Sequence, residues 1–305
     1  MQQPVTATAP GRCGILGNPS DIYGGKVLSA SVPARAKCTL VPSETWSLPE
    51  DTRLWDACMA RYPLSHPVEV HWSTDIPRSS GLSGSTALLA STLACVLALR
   101  GEEPTLPSAE YAELVRDIER NEAQIVCGYQ DAYMIVHGGL QLMDFAGKHP
   151  KIPGPPATLK PLSSPLPFLL VTTGVERLSG SVHGPMAERW IAREKDVVDV
   201  INRISELAEP GAEHLQAGDY RKLAGLMNEN QRLIASVGGS GDAIDLLVSR
   251  CLAHGALAAK LAGAGLGGTI IVLTESPEKL KQDLQADGYT RFLTPELQPG
   301  VQYVR

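Results

Sequence analysis

The stretch VEVHWSTDIPRSSGLSGSTALLASTLACVLAL, residues 68–99, limits the possible folds of this chain more than any other. Val68, Val70 and Trp72 alternate with Glu69, His71 and Ser73, the period of a half-buried strand. Pro77 and Gly81 end that alternation, and from Ser85 to Leu99 the chain is small or apolar almost throughout, as a buried helix requires. The unit therefore reads strand, glycine- and serine-rich loop, helix. Unpaired N–H groups and the positive dipole end at a helix start welcome an anion, and glycines let the backbone approach it. Serine hydroxyls add hydrogen bonds or a ligand for magnesium. Two readings stay open on this loop alone: a phosphate site, or a helix cap with a flexible lead-in.

The 305 residues suffice for two ordinary domains, and 43% hydrophobic with 20% charged residues is the balance of a globular protein. A net charge of -6 argues against a surface built for nucleic acid. The six cysteines (Cys13, Cys38, Cys58, Cys95, Cys127, Cys251) form no CxxC pair and are expected to be reduced, buried small hydrophobes of an intracellular protein. The opening MQQPVTATAPGR has neither the basic lead nor the apolar core of a secretory signal, and Ser85–Leu99 is too short to span a membrane. The expectation is a soluble, cytoplasmic protein, a monomer or homodimer, with no membrane partner.

Along the chain, strands are expected at Val5–Ala9, Val27–Val32, Ala132–Val136, Leu140–Phe145, Phe168–Thr172 and Thr269–Thr274. Helices are expected at Asp51–Arg61, Ala109–Ala123 with Ser108 as its cap, Glu188–Leu207, Asp219–Ser236, Asp242–Leu261 and Pro277–Ala286. Gly174–His183 is polar and reads as an active-site loop. The proline-rich stretch 146–167 marks a domain boundary, placed at 158/159, which divides the chain into 1–158 and 159–305.

Gly263, Gly265 and Gly268 satisfy G-x-G-x-x-G, but that fingerprint needs a strand before it and a helix after it; here the expected order is helix, loop, strand. The loop at 81–85 has the context of a Walker A loop without its G-K-[ST]. Two glycine loops thus remain, suited to a fold that closes on a nucleotide and a second substrate. Between them lie Glu119 and Asp131, residue types that phosphoryl transfer uses to hold a metal and to act on the attacking hydroxyl. Taken singly, Glu119 also reads as a solvated helix residue and Asp131 as a turn former.

Three stretches, PGRCGILGNPSDIYGG, PRSSGLSGSTA and KLAGAGLGG, resemble in order the three motifs of the GHMP kinases, which include galactokinase, homoserine kinase and mevalonate kinase. GNPSDIYGGK, IPRSSGLSGS and GYQDAYMIVHGGLQLMDF are similar to stretches of the glucuronokinase-type sugar 1-kinases, including the Ser83-Gly84 order where the usual second motif has Gly-Ser. The resemblance implies an α/β fold of two domains, an N-terminal one like ribosomal protein S5 domain 2 and a ferredoxin-like C-terminal one, with the active site between them.

It also implies roles. Pro77, Ser79, Ser80, Gly81, Leu82, Ser83, Gly84, Ser85 and Thr86 would wrap the triphosphate of ATP. Ser85 and Glu119, with Glu122 as the alternative to the latter, would hold Mg2+. Asp131 would be the catalytic aspartate. Arg12, Asn18, Asp21, Tyr23 and Lys26 would line the acceptor site; Asn18-Pro19 stands where many members have Glu-His. Gly263, Ala264, Gly265, Gly267 and Gly268 would support the nucleotide site from the second domain. His183, Arg189 and Trp190 resemble a glucuronokinase segment and would face the sugar, Arg189 pairing with a carboxylate, or else serve helix packing. The implied reaction is ATP- and Mg-dependent phosphorylation of a sugar or uronic acid at its anomeric hydroxyl. The alternatives are mevalonate or another alcohol as acceptor, and a non-catalytic ATP- and sugar-binding sensor.

Overall fold

The computed structural model describes residues 3–175, 180–263, 265 and 267–304, and the side chains of 180–183 lie outside the description. In chain order the elements are β1 (Val5–Leu16), β2 (Lys26–Pro42), α1 (Arg53–Arg61), β3 (Val68–Thr74), α2 (Gly84–Leu99), α3 (Ala109–Asn121), α4 (Tyr129–His137), β4 (Leu140–Asp144), β5 (Thr158–Leu162), β6 (Phe168–Thr172), α5 (Gly180–Ile191), α6 (Lys195–Glu206), α7 (Ala208–Ala217), α8 (Tyr220–Ser236), α9 (Asp242–Ala253), β7 (Ala258–Leu261), β8 (Thr269–Leu273), α10 (Pro277–Ala286), β9 (Phe292–Leu293) and β10 (Gln302–Tyr303). A 3-10 turn, Ser20–Tyr23, joins β1 to β2.

Two sheets organise these elements. The first has six strands in the order β10-β1-β2-β4-β5, with β3 also paired to β2. Strand β2 serves two neighbours because its register against β1 shifts between Pro10 and Gly11, opposite Pro33. Its first part, Lys26–Ala30, pairs with β4, and its second, Ala36–Pro42, pairs with β3. A proline there has no N–H for the ladder, so a bulge is the natural place for it. Helices α2 and α4 pack on β1 and β2, and α3 packs on α2 and α4. Helix α2 is buried over most of its length, as its unbroken small and apolar sequence requires. The second sheet is antiparallel, order β7-β8-β6-β9, the strand arrangement of a ferredoxin-like fold.

Several expected elements differ. Ala132–Val136 is not a strand but the middle of α4; it is apolar on all sides because α4 is buried, so alternation carries no information there. The expected helix Glu188–Leu207 is two helices, α5 and α6, broken where Arg193 adopts φ 61°. The expected helix Asp242–Leu261 stops at Ala253, and Gly255 at φ 86° turns the chain into β7. The boundary at 158/159 falls at the start of β5, which belongs to the first sheet; β10, from the chain's other end, returns to pair with β1. Of the expected loop Gly174–His183, residues 176–179 lie outside the described residues and α5 opens at Gly180. Among the described residues, no helix is long and apolar enough to cross a membrane, and all six cysteines are free and buried.

The end of α4 is held tightly. Gly138 stands at φ 67°, and a Cβ there would lie 2.3 Å from Gly300 N and 2.4 Å from Gln298 O. Gly138→Ala is expected to cost about 2 kcal/mol or more, combining a strained φ with a backbone clash. Gly255→Ala, where a Cβ meets nothing within 4 Å, is expected to cost about 1 kcal/mol from φ alone. Urea unfolding midpoints of the two variants check the difference.

Candidate active site

Three helix ends converge where the two sheets meet: the starts of α2 and α4 and the last turns of α3. The loop before α2 is tightly wound, with Ser79, Gly81 and Ser83 at φ 52°, 74° and 62°. Among the described residues, Ser80 Oγ and Ser83 Oγ are buried without a hydrogen-bond partner. The hairpin between β7 and β8 presses on this loop from the second sheet. A Cβ on Gly263 would sit 2.6 Å from Gly81 O, and one on Gly268 2.6 Å from Ser80 O. Gly265 instead packs on Gly239, where a Cβ would be 1.8 Å from its carbonyl oxygen. Only glycine allows such backbone contact. Unpartnered hydroxyls beside a helix start are groups that can receive an anion.

Glu119, in the last turn of α3, is fully buried and accepts from Ser85 Oγ and Thr86 Oγ1, each at 2.8 Å. Burial pushes its carboxyl up to about 7, against the pull of these hydroxyls. Ser85 and Glu119 supply hard oxygen donors, a set that fits Mg2+, which takes one or two protein ligands and completes its shell with phosphate and water. Among the described residues, no group of three or more His, Cys, Asp or Glu forms a ready metal cage. Glu122, the alternative ligand, is turned away and paired with Arg61 at 2.6 Å.

Asp131 lies in the first turn of α4. Arg12 on β1 donates from Nε to Asp131 Oδ1 at 2.6 Å and closes an ion pair to the same oxygen through Nη2. Its Nη1 donates to Gly81 O at 2.7 Å and to Ala262 O at 3.2 Å. One buried guanidinium thus joins the aspartate, the glycine loop and the second sheet's hairpin. Beside it, Asp21 caps α4 across the fold: its Oδ2 accepts from Gln130 N at 3.0 Å. Gly128 makes room, since a Cβ there would lie 2.3 Å from that oxygen. Burial foremost, with the nearby charge of Asp131 adding, pushes the Asp21 carboxyl up to about 6. Tyr23 meets Trp190 of α5 with ring centroids 5.2 Å apart, and His149 meets Trp190 at 5.3 Å.

Four residues expected at the acceptor are committed elsewhere. Arg12 has all its donor nitrogens on protein oxygens and is a positioning residue. Asn18 is buried, donating to Gly263 O at 3.1 Å and accepting from Lys260 Nζ at 2.8 Å. Lys26 turns outward to Glu209 at 2.6 Å. Arg189 binds Glu194, Asp196 and Val237 O. The side chain of His183 and the whole of Ala264 lie outside the described residues. Sequence reasoning missed Thr86 as a partner of Glu119, and missed Lys260, a fully buried amine that burial pulls down to about 7. The lysine next to a glycine motif was the only available signal for it.

The profile of the GHMP kinases N terminal domain matches residues 52–139, and that of the GHMP kinases C terminal domain matches residues 212–289, together more than half the chain. The chain belongs to the GHMP kinases. It is 28% identical to probable glucuronokinase 2 of Arabidopsis thaliana over 88% of this chain and 84% of that relative. It is 26% identical to the D-glycero-alpha-D-manno-heptose 7-phosphate kinase of Campylobacter jejuni over 90% of this chain and 91% of the relative. Among solved structures, Lactococcus lactis galactokinase complexed with galactose superposes with a TM-score of 0.80 at 18% identity, covering 99% of this chain and 96% of that one. The protein is thus a small-molecule kinase with the two-domain GHMP fold, in a family that uses ATP as phosphate donor.

The kinase keeps a buried carboxyl at Glu119 whose folded pKa, about 7, exceeds the ordinary 4.5. Such a group binds its proton more tightly when folded. The stability it contributes is present below about pH 4.5 and lost as pH rises through about 7. Glu119→Gln is expected to raise the melting temperature of the unliganded protein at pH 8 by several degrees, about 2 kcal/mol, and to change it little at pH 4.5. Thermal melts of both proteins across this pH range check it.

Proposed function

We propose that this kinase transfers the terminal phosphoryl group of ATP to the anomeric hydroxyl of a sugar, with a uronic acid such as glucuronate as the leading acceptor and Mg2+ accompanying the nucleotide. The observation that carries the reading is the Arg12 bridge. It ties the Asp131 carboxylate to Gly81 of the phosphate loop, so proton acceptor and phosphate receptor are held by one side chain.

Both Arg12 contacts fall on Asp131 Oδ1, leaving Oδ2 as the oxygen to take the proton of the attacking hydroxyl. As that hydroxyl oxygen bonds to the γ-phosphorus, the bond from phosphorus to the β,γ-bridging oxygen breaks and ADP leaves. The amides at the start of α2 and the hydroxyls of Ser80 and Ser83 bind the phosphates and steady the charge that builds on the transferring group. Magnesium, when bound, neutralises phosphate charge; Ser85 and Glu119 would hold it.

The acceptor chamber supports a polyol. Among the described residues, Asp21 Oδ1, Gln130 Oε1, Tyr23 OH and Trp190 Nε1 are buried without partners. These offer several acceptors and donors, more than a single alcohol satisfies, and a sugar's hydroxyls match them. The names of the Arabidopsis and Campylobacter relatives support a sugar, and the first a uronic acid.

A panel of sugars, uronic acids and mevalonate, assayed for ADP release, tests the reading: the expected result is turnover of a sugar, and turnover of mevalonate alone sinks it. Asp131→Asn is expected to lower kcat by about a thousandfold or more while changing ATP affinity less than about threefold. Ser85→Ala is expected to raise the magnesium concentration needed for half-maximal rate by about tenfold. Steady-state kinetics and equilibrium nucleotide binding measure both.

A further inference from the structure

Arg116 on α3 is only 7% exposed. Among the described residues it makes no hydrogen bond and no ion pair, and its Nε is buried without a partner. Its one close neighbour of note is the ring of Tyr129, with the guanidinium carbon 3.9 Å from the centroid. Tyr129 is itself fully buried, and its hydroxyl also lacks a partner. A second cation, Lys148 Nζ, lies 4.2 Å from the same centroid.

Every acidic residue near Arg116 on its helix is engaged elsewhere. Glu113 holds Lys148 at 2.6 Å and accepts from Tyr133. Asp117 and Glu122 hold Arg61. Glu119 holds Ser85 and Thr86. A buried guanidinium without a counter-charge is costly, and stacking on an aromatic ring offsets only part of that. What the arrangement lacks is an anion.

Its place decides whose anion. Arg116 is one helical turn before Glu119, so about 5 Å further from the start of α2, where the nucleotide phosphates have their receptor. Across from it, Tyr129 opens α4, the next residue's N–H meets Asp21, and Asp131 follows. Arg116 therefore lies against the residue that opens α4, two positions before Asp131. Arg189, the arginine expected to take a carboxylate, already has three protein partners.

We propose that Arg116, with the Tyr129 hydroxyl, receives an oxyanion carried by the acceptor, a carboxylate or a phosphate ester, and makes the kinase select acidic sugars. The inference rests on the sugar-kinase reading above and adds the residue that confers the charge preference. A neutral sugar leaves the guanidinium unpaired, whereas an acidic one pairs it in the forked geometry that arginine favours.

The experiment compares kcat/KM for glucuronate, its neutral amide glucuronamide, glucose 6-phosphate and glucose, with ATP as donor. The expected result is that one acid exceeds its neutral counterpart by about thirtyfold or more, and which acid does so separates carboxylate from phosphate. In Arg116→Gln that preference is expected to fall at least about tenfold, through KM rather than kcat, and Arg116→Lys is expected to recover part of it. The melting temperature of unliganded Arg116→Gln is expected to be no lower than wild type, because an unpaired buried charge has been removed; a purely structural arginine would lower it. An unchanged preference in Arg116→Gln, or a wild-type preference for the neutral sugars, overturns the proposal while leaving the sugar-kinase reading intact. No turnover of any sugar overturns that reading instead. In that event, tryptophan-fluorescence titration with glucuronate, glucose 6-phosphate and inorganic phosphate decides for Arg116: none of them bound more weakly by Arg116→Gln than by wild type overturns it.

Discussion

The active-site architecture hangs on the Arg12–Asp131 pair. Arg12 projects from β1, Asp131 stands at the start of α4, and Nη1 of the same guanidinium reaches Gly81 O and Ala262 O. One planar fork therefore sets the distance between Asp131, the glycine loop before α2 and the hairpin of the second sheet. A lysine could not do this, because it presents a point charge on a flexible stem rather than donors fixed in one plane. Around this node the backbone continues the same joint: Gly14 N meets Ala262 O at 2.9 Å and Arg12 N meets Leu82 O at 3.1 Å.

A second layer of buried polar groups steadies that joint. Asn18 receives Lys260 Nζ and donates to Gly263 O, while Lys260 also reaches Leu261 O at 2.7 Å. Gly17 N donates to Asn230 Oδ1 at 3.1 Å, tying the first turn to α8. Asn18 and Gly17 thereby bind protein groups of the second sheet's side. Beside this layer, Tyr23 and His149 each pack on the ring of Trp190. The cost of the site is visible in Glu119 and Asp21, carboxyls that burial holds well above their ordinary range. Such groups weaken the unliganded fold at neutral pH, a common trade between stability and function.

Much of this was legible in the residues. The strand–loop–helix unit at 68–99 was found to within a residue or two, because alternation followed by an unbroken small-apolar run allows few other folds. Helix α3 and its Ser108 cap followed from periodicity and capping chemistry, and Ser108 Oγ does accept from Tyr111 N at 3.1 Å. Buried elements are the exception: residues 132–136 of α4 read as a strand, and β7 as the end of α9. Where both faces of an element are covered, the hydrophobic period vanishes and length alone separates helix from strand.

The sequence by itself determined the local pieces: a glycine- and serine-rich loop at the head of α2, an acid on α3, another just after Gly128, and three glycine motifs in family order. Local signals suffice for these because caps, turns and glycine conformations depend on neighbours a few residues away. The tertiary structure alone decided which side chains are free to act. It gave Arg12, Asn18, Lys26 and Arg189 each a protein partner 5 or more residues distant, as far as 250 for Arg12. Among the described residues it gave Arg116 an aromatic ring and no counter-charge. Whether a charge is satisfied depends on what the fold brings beside it, and no spacing along the chain records that.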